Sequence, residues 1–183
     1  MKYSFQLQLN DLLQHNLFWL TKNKVFMVHR RNRIIKISAL YFIIYLFLLY
    51  FEIGYPEFQY IFPVIAILFL LYEIYYGEKK TLEKAHTQTI LNENSHLLNK
   101  TTVLTFEDAF LTKNNDLSNL KVAYENIELI EELSGYFYLK LKTGDRIIFP
   151  KSAINNVEEF SLFLHKISKQ YKIVLIDETK WKW

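Results

Sequence analysis

Between Ile37 and Glu78 the chain carries no lysine or arginine, whereas residues 22–36 carry six: Lys22, Lys24, Arg30, Arg31, Arg33 and Lys36. The basic-free window holds two aliphatic and aromatic runs, 37–51 and 58–72, separated by a break containing Glu52, Gly54, Pro56 and Glu57. Cations gathered on one side of paired apolar runs orient such runs in a bilayer. The pattern predicts a two-helix transmembrane hairpin with both chain ends in the cytoplasm. Each 15-residue run is about 22 Å of helix, short against a hydrocarbon core of about 30 Å. Extension to 34–53 and 58–76 closes the gap, with Lys36 snorkelling to the headgroups and Glu52 and Glu73 near the two interfaces. Runs this short also fit buried core helices of a soluble protein. The charge asymmetry and the tyrosines favour the bilayer.

Eight of the thirteen tyrosines lie in 41–76. Tyr50, Tyr55 and Tyr60 cluster at the outer turn and Tyr72, Tyr75 and Tyr76 at the inner end, as expected of aromatic belts at headgroup level. Tyr41 and Tyr45 are different: they sit one turn apart near the middle of the first run, where a phenol hydroxyl needs a partner. They are the expected helix–helix contact residues, facing the second helix or another copy of the chain, with Tyr45 hydrogen-bonded there. A bond within its own helix or toward Ser38 is the competing reading. Neither run contains a charge, which argues against an ion path or proton relay at depth. Pro56 and Pro63 are expected at or just inside the start of the second helix, where proline costs least.

Charge is divided along the chain. Residues 1–100 hold 11 Lys and Arg against 7 Asp and Glu, and residues 101–183 hold 11 against 12, so the net +3 splits into +4 and −1. A nucleic-acid reader is expected to carry its basic face on the folded domain; here the excess lies beside the apolar runs, and no nucleic-acid partner is expected. The six cations are expected to contact the membrane surface, attracted to anionic cytoplasmic lipid; orientation of the first helix alone also explains them. Cysteine is absent, which excludes disulfides, thiol catalysis and thiolate metal sites. No cleavable signal peptide is expected, since the first apolar run follows more than thirty mixed residues.

The flanks read as follows. Residues 3–9 alternate apolar and polar as a half-buried strand, and Asn10 or Asp11 then caps a helix to about Thr21. Residues 78–99 read as a helix leaving the membrane. Beyond 101 the pattern changes to short β-rich runs divided by turn signals at Asn114 to Asp116, Ser134-Gly135 and Thr143 to Asp145. Asn155 or Asn156 caps an amphipathic helix from Val157 to about Gln170, with Val157, Phe160, Phe163, Leu164 and Ile167 on its apolar face. The domains expected are 1–33 (N-terminal strand and helix with the basic cluster), 34–76 (hairpin), 77–100 (polar linker helix), 101–170 (β-rich domain with its helix) and 171–183 (tail). The tail is either frayed, a short strand over 172–176, or an interfacial anchor through Trp181 and Trp183.

Four stretches resemble the YcxB-like family of bacterial membrane proteins: LTFEDAF at 104–110, YENIELIEE at 124–132, YFYL at 136–139 and IIFPKSAI at 147–154. Ala109 and Tyr124 depart from the glycine and tryptophan expected near those positions. The resemblance implies a pleckstrin-homology-like cytosolic domain and implies no activity for named residues. The 101–149 segment supplies fewer strands than the seven such a barrel wants, and 3–9 is the expected donor of the missing one.

No catalytic pattern is present. The five histidines have no metal-ligand spacing, Glu128, Glu131 and Glu132 read as a solvated edge or turn in place of an acid/base pair, and the four glycines form no phosphate loop. No metal, cofactor or enzymatic activity is expected. The fold class is a membrane α+β protein: a two-helix transmembrane hairpin with an antiparallel β, pleckstrin-homology-like cytosolic domain closed by a C-terminal helix. It is expected as a multi-pass protein of the bacterial cytoplasmic membrane, partnered by the lipid bilayer and by a protein or peptide. The function expected is a membrane-tethered binding or regulatory module. The alternative is a structural or accessory subunit that self-associates or stabilises a larger complex through its transmembrane helices.

Overall fold

The computed structural model describes residues 1–50, 58–116 and 118–182. The break with Glu52, Gly54, Pro56 and Glu57, together with Tyr55 and Trp183, lies outside the described residues. The chain forms two compact units, Met1–His15 with Ile90–Trp183, and Asn16–Thr89. This division differs from the expected one: the first fifteen residues and the tail join the β-rich segment.

Among the described residues of the first unit, eight strands form two sheets. Strands β1 (Lys2–Gln6), β2 (Thr101–Phe106), β3 (Phe110–Asn115) and β4 (Ser118–Ala123) make one antiparallel sheet in that order. Strands β5 (Ile127–Leu133), β6 (Tyr136–Leu141), β7 (Arg146–Pro150) and β8 (Val174–Glu178) make the second, ordered β7-β6-β5-β8. Alternation decides the faces: along β2, Thr102, Leu104 and Phe106 are buried while their neighbours are not. Gly144, at φ +94° in the turn between β6 and β7, takes a conformation that side-chain-bearing residues avoid.

The expected N-terminal strand exists, three residues shorter at its end and one longer at its start. It pairs with β2, Tyr3 opposite Leu104 and Phe5 opposite Thr102, so the missing strand does come from the far end of the chain. Tyr3 and Phe5 then meet Phe149 at 5.2 and 5.5 Å between ring centroids. The strand β3 carries little apolar patterning (FLTKNN) and had no separate signal in the sequence. The tail resolves as β8, which runs parallel to β5 with Leu129 opposite Val174. The sheet is therefore not wholly antiparallel as expected. A parallel partner needs a crossover, and the helix α5 (Val157–Tyr171) supplies it. Asn156 caps α5, its side-chain oxygen accepting from the Glu159 amide at 3.1 Å, and Lys172 ends it in the left-handed region. Phe160, Leu164 and Ile167 of α5 join the core, Phe160 lying 5.1 Å from Phe106 and 5.2 Å from Phe149.

Helix α1 (Leu9–Lys22) begins one residue before Asn10. Asp11 is not its N-cap; its carboxylate reaches back to accept the Gln8 amide at 2.7 Å, the reciprocal half of a capping box. In the second unit, α2 (Lys24–Tyr50) is a 27-residue helix with no buried residue. It starts ten residues before the expected span because Asn23 caps it, accepting from the Val25 and Phe26 amides at 2.9 and 3.3 Å. Helix α3 (Phe58–Tyr72) passes through a π-helical turn, Glu73–Gly77, into α4 (Glu78–Glu93). Among the described residues one helix, α2, is long and apolar enough to cross a membrane; the apolar stretch Tyr60–Tyr72 is shorter. The expected second span to 76 is α-helical only to Tyr72. Pro63 lies inside α3, past the first turn, where its missing amide does remove a helix bond.

Candidate functional site

The helical unit contains the residues singled out by the sequence. Tyr41 meets Phe69 edge-on at 6.0 Å, and Tyr45 stacks on Phe62 at 6.3 Å and 3°. Both rings thus face α3 of the same chain. The contacts are between rings, without the hydrogen bond expected for Tyr45. With Phe42, Pro63, Ala66, Ile67 and Leu70 the two tyrosines line an apolar cleft of about 160 Å³. At the far ends of the pair, Tyr72 and Tyr76 stack at 5.9 Å, while Tyr50 and Tyr60 are exposed.

The six cations are not equivalent. Arg30 donates through Nε to Glu78 Oε2 at 2.6 Å, and Arg33 approaches Glu78 Oε1 at 3.3 Å. Glu78 is only 5% exposed, so one buried carboxylate holds two guanidiniums. Lys22 sits over the Phe18 ring at 5.2 Å. Lys24, Arg31 and Lys36 are exposed. Glu78 was not visible as a functional residue in the sequence. Its only signal is that it is the first carboxylate after Gly77, and the π-helical turn that aims it has no pattern of its own.

The β unit disperses its acidic groups. Glu128 takes the Lys140 ammonium at 2.8 Å; Glu132 takes Lys151 at 2.8 Å on one oxygen and the Ser161 hydroxyl at 3.1 Å on the other. Glu131 points to the opposite face of β5 and is 3% exposed. The expected solvated edge is therefore wrong for Glu131 and Glu132: adjacent strand residues face opposite ways, and both faces here are covered. One cover is the first half of α1. Tyr136 donates to Asp11 Oδ1 at 2.8 Å, and the His15 ring packs edge-on against the Tyr138 ring at 5.0 Å. Burial drives the Tyr138 hydroxyl far above its ordinary value, with Tyr136, Asp11 and Glu131 adding to the effect. Burial and then the Asp11 bond do the same to Tyr136. Tyr124 is pushed up to about 12, chiefly by burial, while its hydroxyl donates to the Glu107 carbonyl at 2.6 Å. Lys113, turned inward from β3 opposite Leu104, is pushed down by burial, partly offset by Asp145. Among the described residues no three His, Asp or Glu side chains gather to hold a metal ion.

Residues 106–167 match the model of the YcxB-like protein family. The match runs from Phe106, the last residue of β2, to Ile167 within α5, and so leaves out β1, the rest of β2, β8 and the apolar helices. No curated protein and no solved structure matches the chain.

Proposed function

We propose that the chain is a membrane-tethered, non-enzymatic module whose β unit binds a protein, peptide or lipid headgroup at the cytoplasmic face of a bacterial membrane. The observation that carries this reading is α2: 27 residues of mostly apolar sequence with none of them buried, attached to a β unit whose own core is complete. Apolar side chains of this number left exposed in water would aggregate, and a hydrocarbon solvent removes the difficulty. Helix α3 lies against α2 through Tyr41 and Tyr45, which supports a hairpin. We read the β unit as pleckstrin-homology-like, on two four-stranded sheets and a capped amphipathic helix packed into their core. The charged groups of the β unit support a binding role over catalysis, since Glu128, Glu132 and Asp11 are each engaged by a partner within the fold.

The accessory-subunit alternative relied on tyrosines open to another copy, and both rings are turned to α3. Purification from native membrane with identification of copurifying lipid and protein tests the reading. A stoichiometric lipid or protein lost on truncation to the helical unit is the expected result. A reporter fused after Trp183 is expected to be active in the cytoplasm; periplasmic activity overturns the topology, and recovery of the intact chain in the soluble fraction overturns the membrane assignment.

A further inference from the structure

The basic cluster and the π-helical turn meet at one carboxylate. A π-helical turn inserts one residue into an α-helix and so rotates everything after it by about 100°. Here the rotated residue is Glu78, and rotation brings it to Arg30 and Arg33. At Gly77 an added Cβ would lie 2.7 Å from Glu73 Oε2, the movable end of a flexible side chain. Thr81 closes the turn by donating to the Gly77 carbonyl at 2.8 Å. On α2, Arg30 and Arg33 are one turn apart and present one face to Glu78. Lys24 and Arg31, seven apart, share another face about 100–120° round from Arg30. Lys24, Arg31 and Lys36 are exposed and, among the described residues, make no ion pair.

We propose that Glu78 divides the cluster into two working parts. Arg30 and Arg33 form an internal clamp that fixes α2 against the start of α4, and Lys24, Arg31 and Lys36 are the cations that meet the anionic phosphate headgroups of a lipid surface. This rests on the membrane reading above. Glu78 cancels one of the two guanidinium charges and engages donors of both, so the pair adds less to headgroup attraction than two free cations. An exposed cation near an anionic surface is worth about fivefold in association. Glu78 therefore sets how much of the cluster the surface feels: removing its charge releases two guanidiniums and raises the attraction.

Spin-labelled phosphatidylglycerol and phosphatidylcholine, compared on the reconstituted full chain, read the preference directly. The variant K24Q/R31Q/K36Q is expected to lose most of the preference for phosphatidylglycerol, R30Q/R33Q to lose clearly less of it, and E78Q to strengthen it several-fold. The clamp is read separately. The chain has no cysteine, so spin labels at N32C and A85C report one distance between α2 and α4; it is expected to broaden in E78Q and in R30Q/R33Q and to stay narrow in K24Q/R31Q/K36Q. Equal loss of lipid preference in R30Q/R33Q and K24Q/R31Q/K36Q, or no gain in E78Q, overturns the division. A wild-type chain that does not enter the bilayer at all overturns the membrane reading itself, a result distinct from either of these.

Discussion

The two units solve burial in opposite ways. The β unit turns its apolar side chains inward, and Tyr3, Phe5, Phe106, Phe149 and Phe160 interlock at its centre. The helical unit leaves most of its apolar surface outward, with α2 contributing no buried residue and Ala66 of α3 one of the few residues enclosed. Its internal contacts include the ring pairs Tyr41–Phe69 and Tyr45–Phe62 and the cluster of Arg30, Arg33 and Glu78. Hydrophobic burial holds the first unit together. The second depends on its solvent, and in hydrocarbon its specific polar and ring contacts decide how the helices pair.

The largest expected effect falls on the β unit. Deleting residues 2–10 removes β1 and with it two core rings, each worth about 1.5–3 kcal/mol of burial. Against a domain stability of about 5–15 kcal/mol, the β unit is expected to melt far lower or not to fold; unchanged calorimetric melting of this unit would break the contrast. Phe160→Ala comes next, at about 3–5 kcal/mol, because the ring touches both sheets' aromatics and leaves a cavity. In the helical unit Tyr45→Ala is expected to shift helix pairing while leaving β-unit melting within a few tenths of a kcal/mol, since the two sites share no partner.

A third test uses pH. A tyrosine whose folded-state value is raised stabilises the fold fully below its unfolded value of about 10 and ceases to do so as pH rises through the folded value. Tyr124, Tyr136 and Tyr138 all shift upward. The β unit is expected to lose stability from about pH 10, with the Tyr124 contribution gone above about 12. Tyr124→Phe should flatten that part of the limb, and a melting temperature flat from pH 9 to 12 would count against it. Asp11→Ala is the smallest change, about 1–2 kcal/mol, as it removes a cap and the Tyr136 acceptor together.

Strand and helix positions were legible wherever a local signal set them. Asn155 or Asn156 marked the start of α5, of which Asn156 is the cap, and Phe160, Phe163, Leu164 and Ile167 marked its apolar face. The strand β3 was not legible because Lys113, Asn114 and Asn115 hide its alternation. Glu131 and Glu132 looked like one acidic patch because sequence adjacency does not show that strand neighbours face apart. Tyr41 and Tyr45 were picked out by their depth in an apolar run, whereas their ring partners depended on how α3 lies against α2.

The chain order of charge and hydropathy by itself determined the apolar helices, the basic cluster beside them, the near-neutral β segment and the amphipathic closing helix. Each of these is a local or cumulative property of neighbouring residues, read without knowing what packs on what. Only the tertiary structure decided that the first half of α1 also belongs to the β unit, that β8 runs parallel to β5, and that Glu78 claims two of the six cations. Those outcomes join residues tens of positions apart. They depend on sheet order and on a single π-helical turn, which local propensity does not encode.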